Sequence, residues 1–192
     1  MVNNSINVTV DVTETLLANN VIQKFLDLIR TPMIHTEMIW TIIPLFTGLI
    51  LMQLYFGRYR NEELGWNTAV GNSLALLFVS ANLARHIYES TKELTFIDII
   101  LGDLNKTMIV SGLALISLWL LFGDFFHLMP KKIAFWISSS LPTTLIAYMG
   151  MVLVYTDLPL DLTTLMAGIL LFVLLTIIFG IIHFLEPISL SE

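Results

Sequence analysis

Apolar residues along this chain gather into five long runs separated by short polar segments: Met38–Phe56, Trp66–Tyr88, Thr107–Gly123, Ile133–Tyr155 and Thr163–Leu185. A bilayer core of about 30 Å needs about 20 helical residues, and backbone in hydrocarbon has to satisfy its polar groups internally. The runs therefore predict five transmembrane helices. Ahead of them the pattern changes twice. Asn7–Val12 alternates apolar and polar like a short strand. Leu16, Leu17, Val21, Ile22, Phe25, Leu26 and Ile29 then recur near helical spacing, with Lys24, Asp27 and Arg30 among them and Pro32 as a stop. That segment predicts an amphipathic helix, packed on the bundle or lying in the headgroup region. Between the second and third runs, Leu94, Ile97, Leu101 and Leu104 share a helical face in a stretch too short to cross, which predicts an interfacial helix.

The predicted class is an all-α integral membrane protein in two parts. Residues 1–37 form an N-terminal extracytoplasmic segment with the amphipathic helix, and residues 38–192 a five-span membrane domain. Composition agrees, with 56% apolar and only 12% charged residues, where about a quarter charged is usual. The chain has no cysteine, which excludes disulfides, thiolate metal sites and cysteine nucleophiles. Its net charge of −6 argues against nucleic acid as a partner.

Charge also orients the chain. Arg58, Arg60, Lys131 and Lys132 crowd two short loops hard against the spans, where the positive-inside bias is strongest. This predicts an N-terminus outside and a C-terminus in the cytoplasm, in the cell membrane. The outer segments then carry more acidic than basic residues, which concentrates cations or simply solvates the surface.

The second run is the polar one. Asn82, Arg85, His86 and Glu89 fall on one helical face near its outer end. Arg85 needs a carboxylate if it faces the bundle, and Glu37 or Glu89 can supply it, so Arg85, His86, Glu37 and Glu89 form either an outer mouth or a structural ion-pair cluster. Deeper lie Asn72 and Ser73, which hydrocarbon cannot satisfy. The fourth run carries Ser138, Ser139, Ser140, Pro142 and Thr143, a proline whose surrounding hydroxyls can meet the backbone groups it leaves open. A kinked fourth helix facing the second predicts a polar seam of Asn72, Ser73, Asn82, Ser139, Ser140 and Thr143, used for packing or for permeation. No acid or lysine is expected deep within a span, which weighs against proton-coupled transport.

Catalytic patterns are missing: there is no HExxH, no GxSxG and no phosphate-binding loop. His183 and Glu186 are one turn apart and His127 lies at the same end, yet no tight ligand motif exists, so neither a metal nor another cofactor is expected. The expected function is that of a non-catalytic subunit in a membrane assembly, a homo-oligomer or a complex with other membrane subunits in the lipid bilayer. The alternative is a channel-like oligomer conducting ions or small solutes along the seam.

Overall fold

The chain runs as α1 (Val2–Ile34), one 3-10 turn (Thr36–Met38), α2 (Ile39–Arg58), α3 (Trp66–Ser90), α4 (Leu104–Phe125), α5 (Lys131–Ile137), α6 (Ser140–Tyr155) and α7 (Leu162–Leu185). This is a computed structural model; it describes residues 2–59, 64–90 and 103–185, with side chains from Leu16 onward. The described residues are 88% helical, with no strand among them.

Two expectations for the N-terminal segment need correction. Asn7–Val12 is helical, part of the 33-residue α1, and Pro32 does not stop the helix, which continues to Ile34. A lone strand has no partner for its backbone groups, whereas extending a formed helix adds one hydrogen bond per residue. The amphipathic segment packs on its own bundle. Leu28 and Thr31 are buried, Val21 and Phe25 lie against the core, and α1 runs along α7. The proposed interfacial helix falls largely on residues 91–102, outside the described residues, as do Arg60, Glu62, Glu63 and Glu186.

One helix organises the rest. α6 is buried along nearly its whole length and touches α1, α2, α3, α4 and α7. α3 packs on α4 and α2 on α7, so two helix pairs flank α6, while neither α2 with α3 nor α4 with α7 packs closely. Small residues permit this. A Cβ on Gly150 would lie 3.0 Å from Leu113 Cδ2, and one on Gly168 3.0 Å from Met149 Cε. Outward faces are apolar, with Trp40, Trp119, Trp136 and Phe184 well exposed, which suits insertion into lipid.

Three helical segments are long and apolar enough to cross a membrane: Thr36–Arg58, Leu104–Phe125 and Leu162–Leu185. α5 and α6 make a fourth if the pair, bent by 44°, is counted as one span. α3 is not among them, because Asn72, Ser73, Ser80, Asn82, Arg85 and His86 dilute its apolar residues.

The turn into α7 ties the N-terminal helix down. Asp161 caps α7 by accepting from the Thr164 backbone N–H at 2.8 Å, and it takes Lys24 Nζ of α1 at 2.6 Å. The Lys24 ammonium, helped by the Thr164 N–H and the Thr163 hydroxyl, holds this carboxyl well below the usual carboxylate range. Asp161→Ala is expected to lower Tm more than Asp161→Asn, since asparagine keeps the cap and loses only the charge. Equal losses in a detergent melting assay would mean that the cap is idle.

Candidate functional site

Two polar sites stand at opposite ends of the bundle. The first is a groove of about 1060 Å³ between α2 and α3, floored by Tyr155 at the end of α6. It gathers all four residues predicted for the outer mouth, together with Asn82. Arg85 Nε donates to Glu89 Oε1 at 2.7 Å, one helical turn on. His86 Nδ1 lies 3.9 Å from Glu37 Oε2, and the imidazole stacks on Tyr155 with ring centroids 4.0 Å apart. Asn82 Nδ2 donates to Thr41 Oγ1 at 2.6 Å, bridging α3 to α2. The ion pair is therefore within α3, where exposed pairs add little to stability. The side chains of Arg85, Glu89 and Glu37 are 72%, 56% and 74% exposed in this groove.

The second site surrounds the break between α5 and α6, about 15 Å from Asn82 along α3. The ring of Pro142 in α6 is incompatible with a helical carbonyl at Ser138, four residues before it, and the chain breaks there: Ser139 is extended at φ −69°, ψ 158°. Asn72 Nδ2 donates to that Ser138 carbonyl at 2.8 Å. Hydroxyls patch the remainder: Ser139 donates to the Trp136 carbonyl at 3.0 Å, Thr143 to the Ser139 carbonyl at 2.8 Å, and Ser140 accepts from Gln53 Nε2 at 3.5 Å. The backbone carbonyl of Gln53 lies 2.7 Å from His183 Nε2, so α2, α6 and α7 join here.

The residues expected to line one seam thus divide. Asn72, Ser73, Ser139, Ser140 and Thr143 gather about the break, and Asn82 joins the groove. Between the two places α3 buries Leu76 and Val79, and the Ser80 hydroxyl turns back to the Leu77 carbonyl.

Ser73 leads to a residue one position past the third apolar run. Its hydroxyl donates to Asp124 Oδ2 at 2.8 Å, and Asp124, in the last turn of α4, is 0% exposed. No acid is expected deep within a span, and Asp124 lies at a helix end, yet it is buried in the bundle where a position past the run predicts a solvated loop. The chain reverses just beyond it: the Leu128 N–H reaches the Gly123 carbonyl at 2.9 Å and the His127 N–H the Asp124 carbonyl, a Schellman ending with His127 in the left-handed region at φ 53°. Glycine is the common residue there, and with histidine in its place the reversal left no signal in the sequence. The His127 ring packs on Trp66 at 4.1 Å, while His183 bonds to Gln53, so the two histidines take different partners.

No family model matches the chain, and neither a curated protein nor a solved structure matches it.

Proposed function

We propose that the chain is a five-span, non-catalytic membrane protein that works as a subunit of a larger membrane assembly, either a homo-oligomer or a complex with other membrane subunits. α3 supplies the fifth span in this reading. It is 25 residues long, about 37 Å at 1.5 Å per residue, and lies against α4 and α6 with its polar side chains largely bonded within the protein. The basic residues Arg58, Lys131 and Lys132 at one end favour a cytoplasmic location for that end, with the α2–α3 groove outside.

One observation carries the assembly: Arg85, Glu89 and Glu37 stand exposed on the groove between α2 and α3, and only 6% of the apolar window of the adjoining Thr36–Arg58 segment is buried. Lipid tails offer such groups no hydrogen bonds, whereas a neighbouring helix does. Permeation along α3 and α6 has less support, because the apolar Leu76 and Val79 are buried on α3 between Ser73 and Asn82. Mass measured in mild detergent is expected to exceed the 21.7 kDa of one chain by at least one further subunit. A lone monomer from native membranes, with no partner, would remove this reading.

A further inference from the structure

We propose that Asp124 is the anchor of a binding site for one monovalent metal cation at the α5 end of the bundle. The argument begins with charge. Asp124 is fully buried, and none of the salt bridges among the described residues reaches it. One carboxylate oxygen accepts from Ser73; the other, Oδ1, is buried with no hydrogen-bond partner among the described residues. A carboxylate in such surroundings is stable only when its charge is compensated. Its position adds to the need, since the last turn of α4 is the negative end of a 22-residue helix dipole.

The neighbouring cationic side chains have other attachments. His127 lies on the Trp66 ring, and Lys131 Nζ stands 5.4 Å over the Phe135 ring, which itself packs edge-on against Trp66. These aromatic rings lie between α3, α5 and the turn after α4.

A second unpartnered group belongs to a residue held at the same turn of α3. The Ser138 hydroxyl is also buried without a hydrogen-bond partner among the described residues. Asn72 and Ser73 are consecutive on α3, and their bonds hold Ser138 and Asp124 to one turn of that helix. The proposed site draws its donors from this turn: a carboxylate, two hydroxyls and the amide oxygen of Asn72, whose nitrogen is the part engaged with the Ser138 backbone carbonyl. All are hard oxygen donors suited to alkali or alkaline-earth ions and unsuited to soft metals. A single carboxylate matches one positive charge, whereas divalent sites of this kind ordinarily collect several.

The test is thermal melting of the purified protein in detergent in sodium, lithium, potassium and choline chloride at one ionic strength, repeated from pH 6 to 8. At least one alkali cation is expected to raise Tm saturably above choline, by about 5–10 °C at a hundredfold excess over Kd. Asp124→Asn, which still accepts from Ser73, is expected to melt at one temperature in all four salts. Ser138→Ala should raise Kd about tenfold. Should Asp124→Asn fail to fold, equilibrium binding of radioactive sodium, or of rubidium in place of potassium, to the wild-type protein decides, with one ion per chain expected. No cation response, an Asp124→Asn protein that keeps the response, or no bound ion overturns the proposal. So does a Tm that follows pH and ignores every metal cation, which would assign the compensation to a proton.

Discussion

Tyr148→Ala is expected to destabilise the fold by about 3–5 kcal/mol, the ordinary cost of emptying a buried aromatic site, with a further loss at α1. Tyr148 sits near the middle of α6, 5% exposed, with its ring against Phe46 of α2 at 5.6 Å and its hydroxyl donating to the Leu28 carbonyl of α1. That carbonyl is not arbitrary. In a continuous helix Leu28 O would accept from the N–H of residue 32, and residue 32 is proline. The tyrosine supplies the donor that Pro32 lacks, and α1 passes through the proline to Ile34 for that reason.

Tyr148→Phe isolates the hydroxyl. It should cost about 1–3 kcal/mol, because a buried carbonyl is left without a partner. In a Pro32→Ala background, where residue 32 has its own N–H, the same change should cost under about 0.5 kcal/mol. A double-mutant cycle measured by melting or by denaturant in micelles reads the coupling directly. Equal costs in the two backgrounds would show that the tyrosine acts only through packing.

The same example marks how far the sequence could be read. Apolar run lengths located the helices to within a few residues: Trp66–Tyr88 became Trp66–Ser90, and Thr163–Leu185 became Leu162–Leu185. Length and hydrophobicity are properties of a segment, so they can be read locally. The serine-rich stretch before Pro142 likewise announced its break, because the proline ring and the hydroxyls that repair it are neighbours in sequence. Pro32 misled because its repair comes from Tyr148, 116 positions away. Asp124 misled for a related reason. It is one residue past an apolar run, and its burial depends on Ser73 reaching it and on a reversal whose left-handed residue is histidine in place of glycine. At the groove, sequence spacing put Asn82, Arg85, His86 and Glu89 on one face correctly, since helical periodicity alone decides that. Which face Tyr155 and Glu37 would bring to them required the packing of α6 and of the 3-10 turn.

Asn72→Leu is the counterpart of the tyrosine change and is expected to cost about 1–2 kcal/mol, toward the upper end of hydrogen bonds between membrane helices. Its amide donates to the Ser138 carbonyl at the break between α5 and α6, one of the carbonyls a helix leaves open at its end. Leucine fits an apolar bundle and offers no donor, so the loss reports the orphaned carbonyl against a gain in apolar packing. Here, in contrast to Pro32, replacing the proline should bring no rescue. Ser139 is extended at ψ 158°, so an N–H at residue 142 does not meet the Ser138 carbonyl, and Asn72→Leu should cost as much in a Pro142→Ala protein as in the wild type. Rescue by Pro142→Ala would mean that the proline alone maintains the break and that the two helices can join without it. A stabilising Asn72→Leu would mean that this asparagine is held against the needs of folding, and the case for a site at Asp124 and Ser138 would then rest on that cost.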